Sequence, residues 1–304
     1  MDMSVRMDGK TCLITGATSG IGFETASALA AAGAGVIGVG RDPARCAAAE
    51  ARLRETAAGP VRFLTADLAS LEEVRGLAAR VASSGGRLDV LVNNAGTFSM
   101  RRRESRDGIE LQFAVNYLSA FLLTRELLPL LAAAPAARVI GLSSGSHFAG
   151  RIHWNDPGLR RGYFGLTAYD QSKLAVVLFC RELARRLGAG SSVATYAADP
   201  GLVRTEIGGK GTGALVRLFW KLRTRGGIPA REAASWIAHL ASDPDLQGRT
   251  GLYWKEGRPL PSSPRSRDGE AARRLWTISE QMCDGRDPAR VAHGEGGSLS
   301  RSRP

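Results

Sequence analysis

Tyr169 and Lys173 stand four residues apart in the run Tyr169-Asp170-Gln171-Ser172-Lys173. On a helix that spacing puts both side chains on one face, about one turn apart. An ammonium beside a phenol favours the phenolate and lowers a pKa that is otherwise about 10. Tyrosine then becomes a usable general acid near neutral pH. A surface Tyr and Lys also arise by chance on amphipathic helices, so the pair gains meaning only from its surroundings.

A second cluster offers a place for an anion. Thr15-Gly16-Ala17-Thr18-Ser19-Gly20-Ile21-Gly22 follows an apolar strand and opens a helix. Glycines there let the backbone turn sharply and approach a pyrophosphate without a Cβ in the way. The helix N-terminus adds free N–H groups and the positive end of its dipole. The next strand ends Val39-Gly40-Arg41-Asp42, with no acid to take a ribose 2′-hydroxyl. Arg41 instead suits a 2′-phosphate through bidentate charge-assisted bonds, which predicts NADP(H). Asp67, after the third strand, either receives the adenine amino group or caps a turn.

The elements that must position these groups are short apolar strands alternating with helices. Strands are predicted over Thr11–Thr15, Val36–Gly40, Val61–Ala66, Val90–Asn93, Arg138–Ser143, Val193–Ala198 and Gly251–Trp254. They are nearly continuous in apolar residues, as strands covered on both faces of a parallel sheet should be. Asp42-Pro43 reads as a helix start, and Ser70-x-x-Glu73 and Asp107-x-x-Glu110 have capping-box form. The expectation is an α/β fold: one doubly wound Rossmann domain over residues 1–282, its seven-stranded, mainly parallel sheet carrying helices on both faces.

Two segments break the alternation. Residues 201–228 are glycine-rich and hold an apolar stretch, Leu215–Leu222, with Phe219 and Trp220. That stretch reads either as a lid over a bulky hydrophobic substrate or as an amphipathic helix facing a membrane or partner, with Arg217, Lys221 and Arg223 snorkelling. After a helix around Glu270–Met282, residues 283–304 are small and polar and read as a disordered tail.

Bulk composition excludes several function classes. Of 304 residues, 44% are hydrophobic and 23% charged, ordinary for a soluble globular chain. The net charge of +12 invites a polyanion partner. Its one dense run, Arg101-Arg102-Arg103 with Arg106, is broken by Glu104 and Asp107 and lacks the aromatics of a single-strand platform, so no nucleic-acid role is expected. Cys12, Cys46, Cys180 and Cys283 are scattered, with neither metal-site nor disulfide spacing. No apolar run approaches a membrane span, and no signal peptide opens the chain, so it reads as cytoplasmic, with no metal.

Together these residues resemble the short-chain dehydrogenase/reductase family. The glycine motif, Asn93-Asn94-Ala95-Gly96, Asn116, Ser143-Ser144, Tyr169-x-x-x-Lys173 and Asp199-Pro200-Gly201 occur in the family's order. The 25-residue gap from Ser144 to Tyr169 is similar to that of its retinol-dehydrogenase-like branch. The resemblance implies that Tyr169 donates a proton to a carbonyl oxygen, Lys173 lowers its pKa and holds the nicotinamide ribose, Ser144 binds the substrate oxygen, and Asn116 supports a water relay. It implies a cofactor site at Gly16, Thr18, Ser19, Gly20, Ile21, Gly22, Arg41, Asp67, Leu68, Asn94, Ala95, Gly96, Pro200, Gly201, Val203 and Thr205, besides Tyr169 and Lys173. The substrate expected is a bulky hydrophobic ketone or aldehyde: a retinoid, steroid or lipid aldehyde, or the side-chain ketone of an anthracycline-type polyketide, the last a secondary-metabolism role. The rivals are a catalytically silent NADP-binding regulatory protein and a basic scaffold that binds acidic partners. His147, His153 and Trp154 are candidates for a pocket wall, with loop packing the alternative for the histidines. Helices near Leu111–Leu131 and Thr167–Leu187 are expected to pair if the chain forms a homo-oligomer.

Overall fold

Alternate residues of each central strand bury into two separate cores, which explains why the strands read as unbroken apolar runs. In β1 (Thr11–Thr15), Leu13 faces one core while Cys12 and Ile14 face the other. The same division recurs in β4 (Val90–Asn93), with Leu91 opposite Val90 and Val92, and in β5 (Ala137–Leu142), with Val139 opposite Ile140. The computed structural model describes residues 5–203 and 226–285.

The remaining strands are β2 (Gly35–Gly40), β3 (Val61–Thr65), β6 (Val193–Asp199), β7 (Leu252–Lys255) and β8 (Arg258–Leu260). Their order is β3-β2-β1-β4-β5-β6-β7-β8, parallel throughout except for the final β7–β8 pair. Among the described residues the sheet therefore has eight strands where seven were expected. The addition is an edge strand of three exposed residues including Pro259, with no apolar face to betray it. Order reverses between β1 and β4, and in such sheets ligands bind outside the carboxyl ends of the strands at that switch point.

Helices α1 (Gly20–Ala31) and α2 (Pro43–Arg54) cover one face; α3 (Leu71–Ala82) covers the other. There α4 (Leu111–Phe113) runs through a π-helical turn, Ala114–Leu118, into α5 (Ser119–Ala132), and α6 (Gly165–Leu187) lies alongside. On the first face, α7 (Ala230–Ser242) packs against α1. Buried Arg138 of β5 caps its far end, donating from Nη1 to Leu240 O at 2.9 Å and from Nη2 to Asp243 O.

Helix α8 (Gly269–Cys283) overruns the expected domain end at 282 by one residue. Its Trp276 packs on Phe121 and Phe179, and Ser279 meets the Tyr117 hydroxyl at 2.6 Å. Helix α8 of the same chain thus covers part of the α5 and α6 surface that the resemblance assigns to subunit pairing.

Local start signals hold only in part. Ser70 caps α3 as expected, accepting from Glu73 N, but the Glu73 carboxylate accepts from Asp67 N instead of closing a box. The Asp107-x-x-Glu110 box does not form. Glu110 itself caps α4 through Phe113 N, and Asp107 accepts from Leu71 N on the neighbouring element. Among the described residues no helix is long and apolar enough to cross a membrane. The apolar stretch Leu215–Leu222, most of the expected lid and the tail from residue 286 lie outside the described residues.

Candidate active site

The carboxyl ends of β1, β2, β4, β5 and β6 open onto one cleft of about 1060 Å³. That is at or above the upper end of the volumes that hold one drug-sized ligand, so a dinucleotide and a substrate can share it.

At the β1 end, Gly16 and Gly20 turn the chain with φ of +67° and +59°, a region that disfavours side chains. Gly22 is held by proximity: a Cβ there would lie 2.4 Å from both Gly16 O and Asn94 Nδ2. Asn94 ties the turn to β4, donating from Nδ2 to Thr15 O at 2.7 Å and from its amide to Thr15 Oγ1 at 3.0 Å. No side-chain cap closes the N-terminus of α1, so its first turn presents backbone amides to the cleft wall formed by Gly20, Ile21 and Gly22. This cradle fits a pyrophosphate.

At the β2 end, exposed Arg41 and Arg45 border the cleft beside Thr18 and Gly40. Gly40 has a packing reason as well: a Cβ would meet Thr18 Cγ2 at 2.4 Å and Cys46 Sγ at 2.8 Å. Arg45 escapes a reading of the strand-end motif because it lies within α2, where Asp42 accepts its amide as N-cap. Its place one turn beyond Arg41 is the available signal. Asp67 and Leu68 line the adjoining wall, and Asp67 Oδ1 also accepts from Ala69 N, so it does cap a turn. Arg103 and Arg106 border the same cleft, Arg106 paired with Glu73 and Arg102 with Glu104. Arg101, Arg103 and Arg106 remain exposed, and the run meets the cleft edge through Arg103 and Arg106.

At the β5 end the two serines part company. Ser143 is buried and donates to Lys173 O at 2.9 Å, tying the strand to α6. Ser144 reaches the cleft and accepts from Ser146 N, which leaves its hydroxyl proton available to another acceptor. Tyr169 and Lys173 enter the same space from α6. Lys173 Nζ lies 5.5 Å from the centre of the Tyr169 ring and donates to Leu142 O at 2.9 Å. Burial lowers the Lys173 pKa to about 8, with Asp199 opposing the fall. Phe98, which carries no motif in the sequence, packs edge-on against Tyr169 at 5.8 Å.

Asn116 does not reach the cleft wall. Its Oδ1 accepts from Thr97 N at 2.7 Å and its Nδ2 donates to Thr97 O and Ser172 Oγ. The side chain braces the β4 loop against α6 from within the π-helical turn, so a water relay through it would need the backbone. His147, His153 and Trp154 also stand away from the cleft lining. His147 Nε2 accepts from Ser263 N, so Nδ1 carries the proton and donates to Ser144 O at 2.8 Å. His153 donates its amide to Gln171, and Arg274 covers the Trp154 ring. All three are packing residues. Asn94, Ala95, Gly96, Pro200, Gly201 and Val203 line the cleft; Thr205 falls outside the described residues. No group of metal-ligating side chains occurs among the described residues.

A sequence profile described as short chain dehydrogenase matches residues 10–212. Mouse retinol dehydrogenase 13 is 40% identical over 300 residues, covering 95% of this chain and 87% of that protein. Mouse polyprenol dehydrogenase is 38% identical over 281 residues, covering 88% of this chain and 82% of that protein. A crystal structure of an uncharacterized protein from Mycobacterium paratuberculosis superposes with a TM-score of 0.72 at 35% identity, covering 93% of this chain and 96% of that one.

Proposed function

Because the chain belongs to the short-chain dehydrogenase family, with the retinol dehydrogenases among its relatives, we propose that it is an NADP(H)-dependent oxidoreductase interconverting a bulky hydrophobic carbonyl compound and its alcohol. One observation carries the reading: Ser144, Tyr169 and a buried lysine meet on the same cleft as the glycine-rich turn.

When bound, NADPH supplies the hydride, so this chain need contribute only position, polarisation and one proton. Ser144 polarises the carbonyl, its hydroxyl donating a hydrogen bond to the oxygen without giving up its proton. Tyr169 delivers the proton that completes the alcohol, and Lys173 stabilises the phenolate left behind. Gly16, Gly20 and Gly22 give the pyrophosphate room, and the α1 amides bind it. Arg41 and Arg45 hold a 2′-phosphate, which an uncharged ribose would not engage as strongly. Asn94, Ala95, Gly96, Pro200, Gly201 and Val203 form the walls for the ribose and nicotinamide.

Part of the cleft lining is apolar. Phe98 packs on Tyr169, and Leu68, Leu111, Val115 and Leu142 line the same space. Exposed Leu202 lines it as well. Such a lining suits a substrate with a hydrocarbon body. Relatives named for retinol and polyprenol favour an isoprenoid alcohol or aldehyde, with a polyketide side-chain ketone as the second class to test.

The test is NADPH consumption against retinoid, polyprenyl, steroid and polyketide carbonyls, with NADH as control. Tyr169→Phe is expected to lower turnover by roughly 10²–10⁴-fold, the usual worth of general acid–base catalysis. Undiminished turnover in that variant, or a clear NADH preference, refutes the corresponding part of the reading.

A further inference from the structure

Asp199, the last residue of β6, is 3% exposed, and both carboxylate oxygens accept hydrogen bonds. Oδ1 takes the Gly201 amide at 2.9 Å, and Oδ2 takes the Tyr253 hydroxyl at 2.7 Å. Strand register sets it beside the candidate site. Ala198 pairs with Leu142, whose carbonyl accepts Lys173 Nζ, and Ser143 N donates to Ala198 O. A Cβ on Gly145, the residue after Ser144, would stand 3.6 Å from Asp199 Oδ2. A buried anion therefore underlies the Ser144–Gly145 turn, one strand from the buried ammonium.

Two neutral donors satisfy the lone pairs of this carboxylate without cancelling its charge, and a buried charge needs a counter-charge. We propose that Asp199 is a positioning residue of the site: its charge holds Lys173 in the ammonium form beside Tyr169, while its Oδ1 fixes the Pro200–Gly201 turn on the same wall. The role in turnover rests on the dehydrogenase reading; the electrostatic role does not.

Among the described residues, the titratable groups near Lys173 come from several elements. Tyr169 shares its helix, Asp199 ends β6, Tyr253 stands on β7, His147 lies in the turn after Ser144, and exposed Glu256 sits between β7 and β8. His147 is kept neutral by burial and by the Ser263 amide on Nε2. Burial and the Asp199 bond push the Tyr253 phenol up, so it stays protonated. Burial lowers the Lys173 pKa and Asp199 is the group that opposes it. Removing one nearby anion makes the first proton of the Tyr169–Lys173 pair leave at lower pH, whichever residue yields it.

Asp199→Asn removes the charge and keeps an acceptor for the Gly201 amide. In lysine-labelled apoprotein the Lys173 Cε signal, assigned by its loss in Lys173→Met, is titrated by NMR. Its midpoint is expected to fall by about one pH unit in Asp199→Asn, and the alkaline limb of carbonyl reduction to move down with it. Tyr253→Phe, which breaks the Oδ2 bond but leaves the charge, should not lower the midpoint, and Asp199→Glu should restore it. Should Asp199→Asn fail to fold, Asp199→Ser, also uncharged and able to accept from Gly201, is read in the same way. A Lys173 midpoint unchanged in the folded uncharged variant overturns the proposal. A parent protein that reduces no carbonyl would instead reject the dehydrogenase reading, and the NMR titration would still decide the role of Asp199.

Discussion

Replacing Lys173 by methionine should abolish the chemistry and yet stabilise the apoprotein at neutral pH. The Lys173 side chain is 3% exposed, and burial takes its pKa from the ordinary 10.5 down to about 8. The folded value lies below the unfolded one, so between them the unfolded chain binds more protons and stability rises with pH. At pH 7 the folded state bears nearly the whole penalty: 10.5 − 8 = 2.5 pH units, or about 3 kcal/mol. Methionine is similarly long, unbranched and uncharged, and fills the same channel. Against the gain stands Leu142 O, which loses its donor, at about 1–2 kcal/mol.

The expected net is about 1–2 kcal/mol of added stability at pH 7. At pH 10 wild-type Lys173 is mostly neutral in the fold, the penalty shrinks to about 1 kcal/mol, and the advantage vanishes or reverses. Urea unfolding of both proteins without cofactor, at pH 7 and pH 10, reads the difference directly. A variant less stable at pH 7, or an offset that ignores pH, would show that the lysine is not buried at this cost.

Arg41→Ala and Arg45→Ala should each weaken NADPH binding by roughly tenfold or more, the usual worth of one charge-assisted hydrogen bond, while NADH binding changes little; fluorescence titration of the two dinucleotides checks it. Gly22→Ala places a Cβ 2.4 Å from Gly16 O, so it should destabilise the fold by about 1–3 kcal/mol and weaken NADPH binding, read by thermal unfolding with and without the dinucleotide. Arg138→Met leaves Leu240 O and Asp243 O without their donors and should lower stability by about 2–3 kcal/mol, seen as an earlier denaturant midpoint, with turnover of the remaining folded protein retained.

What the sequence disclosed about the site follows from how a parallel sheet works. Apart from Asn116 and the Tyr169–Lys173 pair, which stand on helical segments, each motif stands at the carboxyl end of a strand, and parallel strands bring those ends to one edge however far apart they lie in the chain. Tyr169 and Lys173 were legible because their partnership is local to one helix. Residues whose partners sit on other elements were not. Asp107 resembles a cap yet bonds the amide of Leu71, and no pattern within a four-residue window can signal a partner 36 positions away. The Asn116 side chain is taken up by Thr97 and Ser172, partners that meet it only once β4, α5 and α6 are packed. Ser143 and Ser144 are adjacent and chemically identical, but they continue β5 in extended backbone, which sends neighbours to opposite sides. One therefore braces Lys173 O while the other faces the cleft, and only their orientation tells them apart. Asp199 is the sharpest case. Its motif was visible, but its charge matters only because β5 and β6 pair Leu142 with Ala198, setting a carboxylate from a distant part of the chain where it opposes the fall that burial imposes on the Lys173 pKa.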